Sequence, residues 1–198
     1  MKLTLFIKSP TVNLENFTIK DIPGSSGRLD VISRCILAAI LTEGYFEVNV
    51  RIWVFLDNYG TYIFDPELFN YENFPKNELM LTEHFATFLL KSKLGEIPYN
   101  NPLKPIKTSN LNILKAIKKF QKRSYNIFIL REDGNDFFKL RNRIQKLMNI
   151  LFIIGSQEDD FLNSKELLAL KIPTISIGNQ SYLASSVIRL LKLHILLL

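Results

Sequence analysis

Arg28 and Asp30 stand two residues apart, directly after the run Pro23-Gly24-Ser25-Ser26-Gly27. An arginine and a carboxylate delivered together by a sharply turned loop can bind phosphate and polarise or deprotonate a nucleobase. The same residues also suit a helix N-terminus, with Ser26 capping the first turn and Asp30 meeting the macrodipole. Arg34 follows Asp30 by four residues, which offers an intrahelical ion pair. Both readings are open at this level.

Two later stretches, FIIGSQ ending at Gln157 and ISIGNQ ending at Gln180, are nearly matched. Each is an apolar strand closing on Gly155 or Gly178 and polar neighbours. Glycines at strand ends let a ligand approach the backbone, and the crevice beyond the carboxyl ends of parallel strands is a common ligand site. A small polar or nucleotide-like ligand fits that pattern; so do plain strand-ending turns. Neither stretch is a dinucleotide fingerprint, and no GxxxxGK[ST] phosphate loop occurs.

Lys115, Lys118, Lys119 and Lys122 share one side of an amphipathic segment, with Lys107 just upstream and Arg141, Arg143 and Lys146 beyond. Each can contact phosphate, giving affinity without sequence readout, or form a solvated helix face. The charge distribution favours the first. Residues 1–100 carry 9 basic and 12 acidic groups, and residues 101–198 carry 16 and 7, within a net charge of +6. Such asymmetry points to a polyanionic partner, nucleic acid first.

Metal chemistry has little to work with. His84 and His194 are far apart, and Glu158-Asp159-Asp160 suits a first helical turn as well as a cation. Cys35, the single cysteine, rules out an intrachain disulfide framework and a cysteine-built zinc site, and it reads as a buried apolar residue.

The elements that must position these residues alternate along the chain. Strands are expected at residues 3–7, 48–56, 61–64, 126–130, 150–154 and 174–177 from their β-branched and aromatic content. Helical spacing predicts helices over 29–41, from 78 onward, 111–123, 136–148, 158–170 and 181–195. Residues 23–27, 95–110 and 131–134 read as loops or turns. Apolar strands alternating with helices predict an α/β fold, a mostly parallel sheet with helices on both faces.

The 198 residues, 47% hydrophobic and 22% charged, suit one domain with an ample core. Within it, residues up to about 75 form an N-terminal extension and hairpin region, and residues from about 126 form the part that carries both matched glycine strand ends. No signal peptide or stretch of 18 apolar residues is visible, so a cytoplasmic protein is expected. The apolar tail Leu190–Leu198 is expected to pack into the core or against a second subunit.

The run IKDIPGSSGRLDVISRC, from Ile19 to Cys35, resembles the N-terminal signature of archaeal tRNA pseudouridine-54 N1-methyltransferases, of the SPOUT superfamily. Similar stretches follow at Val50–Phe64, at FIIGSQEDDFL and at ISIGNQSYLASSVI. The resemblance implies a C-terminal deep trefoil knot, a homodimer, tRNA or another structured RNA as partner, and S-adenosylmethionine as cofactor, with no metal. It places the cofactor against Ile153, Ile154 and Gly155, against Ser176, Ile177 and Gly178, and against Tyr182, Leu183 and Ala184. It puts Arg28 and Asp30 at the substrate end, Asp30 to accept or orient the N1 proton and Arg28 to hold phosphate or neutralise developing charge. The chain departs from the family pattern at Ser156, Gln157, Leu183, Ser186 and Val187. Those departures leave a main-chain cradle intact but alter side-chain roles. A ribosomal RNA pseudouridine methyltransferase and a catalytically silent RNA-binding relative are the alternatives.

Overall fold

A computed structural model describes residues 1–96, 98–155, 160–178 and 180–197. Seven strands form one sheet: β1 (Lys2–Ser9), β2 (Val50–Leu56), β3 (Gly60–Phe64), β4 (Lys107–Ser109), β5 (Asn126–Asp136), β6 (Asn149–Ile154) and β7 (Thr174–Ser176). Their spatial order is β4-β3-β2-β1-β6-β5-β7. The pairings β1–β2, β1–β6, β5–β6 and β5–β7 are parallel, while the hairpin β2–β3 and the short β4 are antiparallel. The sheet is therefore mixed and mostly parallel.

Successive strand side chains point to opposite faces, and this period of two divides the core. Leu3, Leu5 and Ile7 of β1 and Ile150, Phe152 and Ile154 of β6 enter one apolar cluster; Phe6, Leu151 and Ile153 enter the other. The first face is covered by α2 (Leu29–Ile40), α3 (Glu78–Lys93), α5 (Phe137–Ile144) and α7 (Ala184–Lys192). The second is covered by α4 (Ile113–Gln121) and the one-turn α6 (Lys165–Leu168), through Ile113, Ala116, Ile117, Phe120 and Leu167. Burial on both faces explains why β1 and β6 are continuous apolar runs.

The structure departs from the sequence expectations in four places. Residues of the Pro-Gly-Ser-Ser segment form a helical turn, α1 (Ile22–Ser25). Asp21 caps it by accepting from the Gly24 amide at 3.1 Å, and proline is tolerated in a first turn. Residues 131–134 do not end β5; they bulge, and the strand resumes at Asn135 opposite Ile175. The segment 95–110 contains β4, which has no β-type pattern and exists because it pairs with β3. The helix expected over 158–170 divides into a 3₁₀ turn (Asp160–Asn163) and α6, because the Ser164 side chain caps a new start. The start of that helix, with the acidic residues Glu158 and Asp159, lies outside the described residues.

The tail follows the core expectation through Ile188, Leu191 and Ile195, all buried, while Leu193 is exposed. Among the described residues, no helix is long and apolar enough to cross a membrane, and no three His, Cys, Asp or Glu side chains gather to hold a metal.

Candidate cofactor and substrate site

β1, β6, β5 and β7 run parallel, so their carboxyl ends share one edge of the sheet; Ile7 lies opposite Ile154, and Asp136 opposite Ser176. A cavity of about 440 Å³ opens beyond β5, β6 and β7. That size suits a small-molecule ligand. Ile154, Gly155, Ser176, Ile177, Gly178, Tyr182 and Ala184 line it, together with Val187. Ile153 instead points into the second core with no exposed surface, the consequence of its odd position in β6. Leu183 is the residue before α7, half-exposed, and does not line the cavity. Ser156, Gln157 and Asn179 lie outside the described residues.

Three glycines shape the walls. A methyl group on Gly134 would lie 2.6 Å from the backbone N and C of Ile175, so only a bare Cα lets the bulge of β5 cross β7 that closely. A methyl on Gly155 would lie 2.7 Å from Leu162 Cδ1, and one on Gly178 would lie 3.1 Å from the Tyr182 hydroxyl. Ser176 Oγ donates to the Gly178 carbonyl at 2.8 Å and accepts from its amide at 3.2 Å, fixing the turn beneath Tyr182.

Arg131, Glu132 and Asp133 also line the cavity, as do Leu162, Asn163, Gln180 and Ser181. Arg131 latches two segments together. Its Nε and Nη2 donate to Asp133 at 2.8 and 3.1 Å, and its Nη1 donates to Asn163 Oδ1 at 2.7 Å and to the Leu162 carbonyl at 3.2 Å. The Arg131 guanidinium holds the Asp133 carboxyl below the usual carboxylate range, and that partner in turn raises Arg131. Sequence reading missed this segment. Its signal was available: REDG is a third polar strand end, after FIL, at the same edge as the two glycine loops.

Arg28 and Asp30 sit at the start of α2. Gly27 and Arg28 are both left-handed, at φ +58° and +68°. Gly27 is obligatory there, since a methyl would collide with the Thr11 carbonyl oxygen. The Thr11 hydroxyl donates to the Gly27 carbonyl at 2.9 Å, tying this loop to the segment that leaves β1. Buried Ser26 accepts from the Leu29 amide at 3.0 Å, the expected cap.

Asp30 is 3% exposed, and both of its oxygens are taken. Arg28 Nε and Nη2 donate to Oδ1 and Oδ2 at 3.1 and 3.2 Å, and Arg34 Nη2 donates to Oδ2 at 3.1 Å. Arg34 Nε lies 3.2 Å from Glu78 Oε2, which joins α2 to α3.

The helix directions relate this cluster to the cavity. Lys192, at the end of α7, donates to the Ala38 and Leu41 carbonyls at the end of α2, at 3.0 and 2.9 Å. The two helices pack against each other; the loop before α2 is tied to the segment leaving β1, and α7 follows the end of β7, so the start of α2 with Asp30 and the start of α7 with Ala184 lie toward the carboxyl-end edge of the sheet.

The basic residues are dispersed. Lys115, Lys118, Lys119 and Lys122 occupy the exposed face of α4, over the second core. Lys107 lies on β4, the sheet edge farthest from β7, 3.6 Å from Asp65 Oδ2. Arg141 is on α5, over the first core, with Nη1 3.5 Å from His194 Nδ1. Arg141 and the α4 lysines therefore flank opposite faces of the sheet and do not form one stripe.

Residues 1–197 match a family described as SAM-dependent RNA methyltransferases. The tRNA (pseudouridine(54)-N(1))-methyltransferase of Thermococcus kodakarensis is 31% identical over 202 residues, spanning 93% of this chain and 94% of the relative. That of Thermococcus onnurineus is 29% identical, spanning 93% and 92%. Nep1 of Archaeoglobus fulgidus, solved with S-adenosylhomocysteine, superposes with a TM-score of 0.63 at 15% identity, covering 98% of this chain and 97% of that one. The fold is thus that of this Nep1 structure, with the mostly parallel α/β sheet covered on both faces that the sequence leads one to expect. The chain belongs to the family of SAM-dependent RNA methyltransferases that contains the archaeal tRNA pseudouridine-54 N1-methyltransferases.

Proposed function

We propose that this protein methylates N1 of pseudouridine 54 in tRNA with S-adenosylmethionine. The observation that carries the reading is one end of one sheet holding both the glycine-walled cavity and the Arg28–Asp30–Arg34 cluster. The cavity fits the cofactor: its volume suits a small-molecule ligand, and its walls offer main-chain groups at Gly155 and Ser176–Gly178. When bound, S-adenosylmethionine supplies an electrophilic methyl group. Gly155, Ser176, Ile177, Gly178, Tyr182 and Ala184 would hold it, with Arg131 keeping the cavity's two outer segments in place.

Pseudouridine carries an N1–H, and that proton must leave as the new N–C bond forms. Arg28 meets the negative charge that develops on the base or holds an adjacent phosphate. Asp30 is a positioning residue: its carboxylate aims the Arg28 guanidinium, whose backbone is itself held in a costly left-handed conformation. Alignment of the nitrogen with the methyl group supplies much of the rate. The α4 lysines, Lys107 and Arg141 add phosphate contacts along the RNA.

We further propose a homodimer in the cytoplasm, each chain a single domain. Phe138 is 49% exposed and packs edge-on against His194, beside exposed Leu193. This is an apolar patch of the kind a second copy covers.

The test is methyl transfer to T-arm RNA carrying pseudouridine, with uridine RNA as control. Asp30→Asn should lower kcat by about 10- to 100-fold, the loss of charge-assisted hydrogen bonds worth about 1.5–3 kcal/mol, while the pH–rate midpoint stays put. A vanished acidic limb in that variant would make Asp30 the base and overturn the positioning role. Folded protein that binds no S-adenosylmethionine at millimolar concentration would sink the enzyme reading itself.

A further inference from the structure

A second cavity, of about 850 Å³, lies between α5, the start of β5 and the segment leading into β7. It is separate from the cofactor crevice: the crevice takes Leu130–Asp133 and Ile175–Gly178 at the carboxyl ends of β5 and β7, and this cleft takes Asn126–Phe128 and Leu170–Pro173 at their amino ends. Lys139, Arg143 and Lys171 converge on it. Its one carboxylate among the described lining residues, Asp136, has Oδ1 committed to capping α5, accepting from the Phe138 amide at 2.8 Å.

Lys139 and Lys171 stand at positions that do not favour them, and Arg143, though suited to the last turn of α5, brings a like charge to Lys139. Lys139 lies in the first turn of α5, where the helix dipole repels positive charge, and no acidic residue occupies that turn. Arg143 is four residues on, so two like charges face each other along the helix. Lys171 holds a left-handed backbone, φ +50°, which a non-glycine residue rarely adopts. None of the three makes an ion pair within the described residues. Three cations without an ion pair among the described residues, facing one cavity whose single carboxylate is already engaged, suit an anionic ligand. Half-buried Tyr125 and Phe128 give the cleft an apolar wall of the kind a sugar or base packs against.

We propose that this cleft holds a phosphodiester of the RNA substrate, anchoring the RNA at the amino ends of β5 and β7 while the target base reacts at their carboxyl ends. The proposal rests on the reading that the substrate is RNA. It differs from the lysine face of α4, which lies over the opposite side of the sheet.

Anisotropy titration of labelled T-arm RNA between 50 and 200 mM KCl tests it. Neutralising the three residues together (Lys139→Gln, Arg143→Gln, Lys171→Gln) should weaken binding about tenfold or more at the lowest salt. The slope of log K against log salt should become shallower by roughly two to three, at about 0.7–0.9 per lost phosphate contact. Calorimetric affinity for S-adenosylmethionine should match wild type, which also certifies the fold. Lys171→Glu, a single change at an exposed position, should weaken RNA binding in the same direction. Wild-type affinity and slope in both variants would overturn the cleft while leaving the tRNA reading intact. Wild-type protein that binds cofactor but no RNA would refute both.

Discussion

Gly134→Ala isolates the crossing on which the cofactor cavity depends. The added methyl would sit 2.6 Å from Ile175 N and C and 2.8 Å from its Cα, all backbone. Carbon contacts rest at about 3.5–4.0 Å, so β7 and the bulge of β5 must separate by about 1 Å. Neither side is a flexible side chain that can swing away. Overpacking of this kind costs about 1–3 kcal/mol, and the lost chain entropy of glycine returns about 0.4–1 kcal/mol through the unfolded state. A net loss of about 2 kcal/mol lowers the melting temperature of a chain this size by about 4–8 °C. The displaced segment carries Ile175, Ser176 and Gly178 of the cavity wall, so cofactor affinity should fall about tenfold as well. Gly44→Ala is the control: its φ is +86° but nothing lies within 4 Å of the added methyl, so it should destabilise without touching cofactor binding. Scanning calorimetry and S-adenosylmethionine titration measure both. A Gly134→Ala protein that melts and binds like wild type would refute the steric argument.

Lys192 and Cys35 give two further predictions. Burial pushes the Lys192 ammonium down from 10.5 to about 8, although it donates to two carbonyls. Between those values the unfolded chain holds the proton and the folded chain does not, so stability should rise with pH across that window, by roughly 2–3 kcal/mol. Lys192→Met should remove that rise, and parallel denaturation curves for the two proteins across the window would contradict the burial cost. The Cys35 thiol is fully buried and pushed up to about 12, so it stays protonated at neutral pH. Ellman's reagent should label it only after unfolding; prompt labelling of native protein would show that α2 opens.

Periodicity placed the strands and long helices because their apolar residues recur at two or 3.6, and both cores obey that pattern. What it missed has tertiary causes. β4 is a strand because β3 offers it hydrogen bonds, and the Lys-Thr-Ser sequence carries no such instruction. The bulge at 131–134 has the composition of a turn, and only the passage of β7 beside Gly134 turns it into a cavity wall. Arg28 and Asp30 were legible as a pair, but the closure of both Asp30 oxygens depends on Arg34 reaching it along α2 and Arg28 folding back in a left-handed conformation. Ile153 illustrates a subtler miss: its neighbours line the cavity, and strand alternation turns it away.

Of the departures from the family pattern that lie among the described residues, Ser186 does not line the cavity. The cavity's fixed points are Gly134, where a Cβ would meet the backbone of Ile175, and the Ser176–Gly178 turn, which is secured by a hydroxyl and main-chain atoms. A ligand held by main-chain groups is indifferent to many side-chain changes, provided the backbone path survives. Val187 lines the cavity as an apolar wall, and Leu183 lies outside it as the uncapped residue before α7. Arg131 adds a constraint of a different kind. Its guanidinium fork spans Asp133, Asn163 and the Leu162 carbonyl, and lysine in its place would lose part of that span.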